Sequence, residues 1–244
     1  KPATDGRIMT DISWLAKRPI AHRGFHDLNK TRWENTLSAF EAAVERNYAI
    51  ECDVHLSADG IPIVFHDREL DRLCGREGLL SDLDAAAIAG LRVGGTPDHV
   101  PSLAEVLRHV AGRVPLVIEL KGSEGKDEGL VAAVAKALEG YQGAAAIMSF
   151  EHRFIRDFAR QAPGIACGLT AHGRTPADLE AHFSMLAHGI DFVSFHVADL
   201  PNRFVDTVRS KLAMPVITWT VREEWAVEVT RKHADQMTFE GFER

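Results

Sequence analysis

Cysteine is scarce in this chain of 244 residues. Its three cysteines, Cys52, Cys74 and Cys167, are odd in number, widely spaced and without a C-x-x-C, so neither a disulfide framework nor a cysteine zinc site is indicated. A reducing compartment, the cytoplasm, is the expectation. No segment approaches the roughly 20 consecutive apolar residues of a membrane span, which argues against stable membrane insertion. The opening KPATDGRIMTD holds no apolar signal region either. Because the chain starts at Lys1 rather than Met, a leader cut away before it leaves a periplasmic or secreted location open. A basic stripe is missing as well. The net charge is −7 and Lys and Arg are interspersed with acids, which argues against nucleic acid as a partner. There is no internal repeat and no low-complexity tract, hence no solenoid and no linker between domains.

What the chain does have is apolar content, 45%, enough to bury a full core. One domain over residues 1–244 is expected, with homo-oligomerisation left open. Short apolar runs at 19–22, 49–56, 115–121, 145–150, 165–170, 192–197, 215–221 and 235–239 read as strands. Amphipathic segments lie between them. NTLSAFEAAVERN places Leu37, Phe40 and Val44 on one face, and SLAEVLRHVAG does the same with Leu103, Val106, Leu107 and Val110 behind a Ser102 cap. Strand and helix alternation implies right-handed crossovers and a parallel sheet, and eight such units in a chain of this length predict a (β/α)₈ TIM barrel. A doubly wound open sheet is the alternative. Residues 57–101 break the beat with a hairpin signal, SADGIPIVFHD, and a loop-rich continuation. They read as a small insertion after the second strand.

The second strand, AIECDVHL, is built against expectation, with Glu51, Asp53 and His55 at every second position. Residues at i and i+2 share a face, so Glu51 and Asp53 point the same way. Buried carboxylates side by side persist only with a cation between them or protons on them. Glu119 repeats the device on the third predicted strand, with Lys121 two residues on. An acid at a strand end is ordinarily solvated or salt-bridged. Acids at the C-terminal ends of two strands, where barrel enzymes keep their sites, favour instead a carboxylate cage for one hard divalent cation, Mg²⁺ or Ca²⁺. His22 closes the first strand and His66 the hairpin, and a histidine pair can take and give a proton in one cycle. Arg23 and Lys121 are cations beside those acids, as an anionic phosphoryl group requires. Together these residues spell phosphodiester cleavage. His26, His99, His109, His152, His182, His188 and His233 are expected in solvent, and His55, His172 and His196 are left open.

HRG at 22–24, ENTLSAF at 34–40, IECDVHLSADGIPIVFHD at 50–67, PSLAEVL at 101–107, IELK at 118–121 and TWTV at 218–221 together closely resemble the glycerophosphodiester phosphodiesterases over nearly the whole chain. The resemblance implies a TIM barrel with an insertion after its second strand and a divalent metal on Glu51, Asp53 and Glu119. It also implies catalytic His22 and His66, phosphate held by Arg23 and Lys121, and Trp219 packed against the glycerol or its neighbour. The reaction it points to releases glycerol 3-phosphate and an alcohol from a small glycerophosphodiester. The expected route is a cyclic phosphate formed by the substrate's own hydroxyl, with His66 as first base and His22 as acid.

Three positions depart from the family pattern. Asn47 stands where a helix-ending glycine is usual and can adopt the same left-handed cap. Arg222 replaces an Asn, and Phe239 an Asp, so charge and apolar surface are expected near the mouth and bear on the alcohol selected. Leu79, Leu80, Leu83, Ile88 and Leu91 are read as the insertion's own core rather than an acyl-binding wall. Lysophospholipase D activity, with Phe65, Leu73, Leu79, Leu80 and Phe239 along an acyl path, is accordingly secondary. Sphingomyelinase D-like chemistry and a silent phosphate or headgroup binder are the further alternatives, and a silent binder has no need of both His22 and His66.

Overall fold

The computed structural model describes residues 11–243. The chain enters the sheet at β1 (Ile20–Ala21), passes through α1 (Leu37–Glu45) to β2 (Ala49–Leu56), and folds back as β3 (Pro62–Val64). Two short helices, α2 (Asp71–Cys74) and α3 (Ala85–Ala89), follow in the insertion. The alternation then resumes: α4 (Leu103–Val110), β4 (Leu116–Leu120), α5 (Leu130–Ala137), β5 (Ala145–Ser149), α6 (His152–Gln161) and β6 (Ala166–Ala171). It ends with α7 (Pro176–Met185), β7 (Phe192–His196), α8 (Arg203–Leu212), β8 (Val216–Val221), α9 (Glu224–His233) and β9 (Gln236–Phe239). Among the described residues only β3 pairs antiparallel, against β2, and the other eight strands are parallel. Because β1 pairs with both β2 and β9, the sheet closes into the expected (β/α)₈ barrel, and the open-sheet alternative falls.

Local signals set the element ends. Ser102 and Glu105 form a reciprocal capping box that starts α4, whose Leu103, Val106, Leu107 and Val110 are all buried. Asn47 takes φ 59° just past α1, the left-handed closure expected of it.

Side-chain alternation divides the apolar residues into two layers. Ile50, Cys52, Val54 and Leu56 of β2 face the helices, while Ala49 joins Ile20, Val117, Ala146, Met148, Ala166, Phe192 and Ile217 inside the barrel. Phe192 fills the lumen so closely that a Cβ on Gly168 would sit 2.4 Å from its ring, which is why a strand position there lacks a side chain. Below this layer Leu15, carried on a 3₁₀ turn at Ser13–Ala16, seals the N-terminal end of the barrel. The insertion packs a third cluster of its own from Ile63, Phe65, Leu70, Leu73, Leu80, Ile88, Val93 and Val100.

Several expectations need correction. Phe239 is not at the rim. Alternation along β9 turns Thr238 to the inside and Phe239 outward, where it is buried edge-on against Tyr48 at 5.0 Å. Phe65, Leu73 and Leu80 are buried in the insertion's cluster, so of the proposed acyl path only Leu79 is exposed. His26 and His182, expected in solvent, are buried: His26 Nδ1 accepts the Leu28 N–H at 3.1 Å, and His182 Nε2 pairs with the His172 carbonyl at 2.9 Å.

Candidate active site

The C-terminal ends of the strands converge on a cavity of about 220 Å³. Its lining includes His22, Arg23, Glu51, Asp53, His66, Glu119, Lys121 and Trp219, every site residue expected from the sequence, together with Met148, Phe150, His196, Thr220, Arg222 and Thr238.

Parallel register builds the floor. Asp53 of β2 pairs directly with Glu119 of β4, and Glu51 lies one same-face step below. One oxygen from each of the three carboxylates lies within 4.8 Å of the other two. All are buried. Lys121 Nζ sits 3.0 Å from Asp53 Oδ1 and also bonds Glu119, while Arg23 Nε lies 3.3 Å from Asp53 Oδ2. Burial would raise Asp53, yet Lys121 and Arg23 hold its carboxyl well below the usual range. Glu51 goes the other way, pushed well up by burial and by the neighbouring Asp53 and Glu119. Three acids against two cations leave a carboxyl without a protein cation of its own, which must take a proton or meet a further cation. The residues therefore fit a divalent cation: an all-oxygen donor set, clustered and with one carboxyl unmatched.

Both histidines are backed by carboxylates. His22, whose backbone N–H continues the β1–β9 ladder to Phe239 O at 2.9 Å, meets Glu240 Oε2 through Nδ1 at 2.5 Å. His66 Nδ1 meets Asp67 Oδ1 at 2.7 Å. An ionised carboxylate only accepts, so in each ring Nδ1 carries the hydrogen and Nε2 is left to handle a proton in the cavity. For His22 that nitrogen lies 3.9 Å from Glu51 Oε2. Burial pushes His22 down, and Glu240 opposes the shift.

A chain of ion pairs ties these groups together. Arg72 on α2 grips Asp67 through Nε and Nη2, both at 2.7 Å, and Glu34 through Nη1 and Nη2 at 2.9 and 2.8 Å. Glu34 in turn accepts from Arg23 Nη1 at 2.7 Å. Against the cost of burial, Arg72 and Arg23 drive Glu34 down to about 2.

Glu240, Glu34 and Arg72 are the residues that the sequence reading missed. For Glu240 the signal was present, since it is an acid directly beyond the C-terminal end of a barrel strand, close to where Glu119 stands near the end of β4. His55 resolves as a supporting residue, its Nε2 at 2.9 Å from the His66 carbonyl. The cavity's outer wall is aromatic. Trp219 lies edge-on to Phe150 at 5.2 Å and 4.8 Å from His196, with its indole N–H donated to Ser194 O at 3.3 Å.

This chain is similar to characterised folds over most of its length. It is 34% identical to the glycerophosphodiester phosphodiesterase of Caldanaerobacter subterraneus over 62% of this chain and 65% of that enzyme, so the match spans about two thirds of that relative. An Oleispira antarctica phosphodiesterase, solved with its product sn-glycerol-3-phosphate, superposes with a TM-score of 0.78 at 25% identity, covering 91% of this chain and 92% of that one. The glycerophosphodiester phosphodiesterase of Thermotoga maritima shares the fold, with a TM-score of 0.72 at 22% identity over 91% of this chain and 94% of that one. The model of the glycerophosphoryl diester phosphodiesterase family matches residues 22–241, from His22 to just beyond the last strand, and the chain belongs to that family.

Proposed function

We propose that this chain, acting as a single barrel domain with its insertion, hydrolyses water-soluble glycerophosphodiesters to glycerol 3-phosphate and an alcohol. The observation that carries this reading is the convergence of two carboxylate-backed imidazoles, an acid triad and two cations on one small cavity. Glu51, Asp53 and Glu119 would hold one divalent cation, Mg²⁺ or Ca²⁺, which supplies charge stabilisation to the phosphoryl oxygens.

The protein's own groups do the rest. Arg23 and Lys121 hold the phosphate, and Trp219 offers an apolar face to the glycerol. His66 Nε2 takes the proton of the glycerol hydroxyl next to the phosphate as its oxygen attacks phosphorus. His22 gives its Nε2 proton to the departing alcohol oxygen as that P–O bond breaks. Water then opens the cyclic phosphate with the two roles exchanged. An acid must start as imidazolium, and Glu240 supports that form of His22 against the burial that lowers it. Asp67, which backs His66, is engaged on both oxygens by Arg72.

No helix among the described residues is long and apolar enough to cross a membrane. With Phe65, Leu73 and Leu80 buried, the acyl route loses most of its wall. The test is product release from glycerophosphocholine, glycerophosphoethanolamine and glycerophosphoinositol, with and without chelator. EDTA should abolish hydrolysis and added Mg²⁺ or Ca²⁺ restore it, whereas full activity in thoroughly chelated protein would overturn the assignment of the acid triad.

A further inference from the structure

We propose that Arg222 selects substrates whose departing alcohol carries an anionic group such as a carboxylate. The inference rests on the glycerophosphodiesterase reading above and names the substrate class within it. The enclosed space, about 220 Å³, falls below the roughly 300–1,000 Å³ of a site that swallows a whole small ligand. Its floor is taken by the triad, both histidines, Arg23 and Lys121, the groups that address the phosphate. The alcohol half is left to the rim.

Arg222 stands there, one residue beyond β8, with its side chain 59% exposed. Its Nε is anchored to Glu240 Oε1 at 2.6 Å. Glu240 lies beneath, only 9% exposed, so the pair presents its positive end outward. Anchoring at Nε fixes the guanidinium plane, and among the described residues neither Nη group meets an acceptor. A planar fork held in this way matches a carboxylate.

Among the described residues, the acids that line the cavity do not share the rim with Arg222. The carboxylates that line the cavity are Glu51, Asp53 and Glu119, all buried at the floor. A cationic alcohol therefore meets the outward Nη face of Arg222, while Glu240, the acid that offsets it, lies behind the guanidinium and is shared with His22. The aromatic wall of Trp219, Phe150 and His196 offers surface to either kind of alcohol, and its indole N–H is already committed to Ser194 O.

A matched pair isolates the charge, because glycerophosphoserine is glycerophosphoethanolamine with one added carboxylate. The readout is the ratio of kcat/KM for the two substrates in wild type, Arg222→Gln and Arg222→Lys, at low and high salt. Any damage passed through Glu240 to His22 affects both substrates and cancels in the ratio. Wild type should favour glycerophosphoserine, Arg222→Gln should lower the ratio about two- to fivefold as expected of an exposed ion pair, Arg222→Lys should retain part of it, and salt should erode it. An unchanged ratio in Arg222→Gln, or wild-type preference for glycerophosphoethanolamine, overturns this inference alone. Hydrolysis of neither substrate overturns the functional reading and this inference with it.

Discussion

Glu240 meets His22 on one oxygen and Arg222 on the other, so its replacements separate hydrogen bonding from charge. Glu240→Gln can still accept the Nδ1 hydrogen but loses the charge, whereas Glu240→Ala loses both. The expected order of kcat is wild type, Gln, Ala, then His22→Ala, with the last down by at least about 10²-fold, the usual cost of removing a general acid or base. For a substrate whose alcohol carries no anionic group KM should move little, since Glu240 touches His22 and Arg222 and not the phosphate site. Steady-state kinetics on one substrate checks this, and a wild-type kcat in Glu240→Ala would remove the residue from its positioning role. At this scale the acids of β2 were legible because they interrupt an apolar alternation. Phe239 was misplaced for a related reason. At a strand end the inward or outward parity depends on register, and only the pairing with β1 and β8 fixes it.

The insertion is an element tied to the barrel at several points. Its α2 sends Arg72 to Asp67 and Glu34, and its Gly94 lies under Trp33 from the loop before α1. Gly94 has φ 60°, and a Cβ there would lie 2.0 Å from the indole. Gly94→Ala should therefore lift Trp33 off the insertion and lower stability by about 1–3 kcal/mol, the range of an overpacked site. Activity should fall too, because Trp33 adjoins Glu34, the acid that steadies Arg23. A urea midpoint equal to wild type would show that the indole is not seated as described. The hairpin and most of the insertion's own core, Leu80 and Ile88 with Leu83 and Leu91 packed against them, could be read from turn signals and composition, whereas Leu79, expected in that core, is exposed. The insertion's ion pairs could not be read. Arg72 and Glu34 are 38 residues apart, and such a contact leaves no spacing in the sequence.

For the whole molecule, the chain of charges through Glu34 and Asp67 makes a statement about acid. Burial opposes ionisation of both, but Arg72, with Arg23 for Glu34 and His66 for Asp67, holds each at about 2. A carboxyl depressed in the folded state stabilises it above the unfolded value, about 4, and that contribution is lost as pH falls toward the folded value. The thermal midpoint should accordingly drop between about pH 5 and pH 3, and Arg72→Ala should flatten the drop while lowering the midpoint at neutral pH. Equal slopes in the two proteins would place the acid sensitivity elsewhere. The closed barrel itself was the most legible feature of the chain, because eight repeats of one period are hard to arrange in any other way. Its floor was not, since nothing in the sequence around Ser13–Ala16 announces a stopper. With Leu15 wedged into the lower end, the barrel is a vessel with one opening. In the two-step hydrolysis proposed above, the departing alcohol and the incoming water would use that one doorway, so the alcohol would leave by the path along which the water enters.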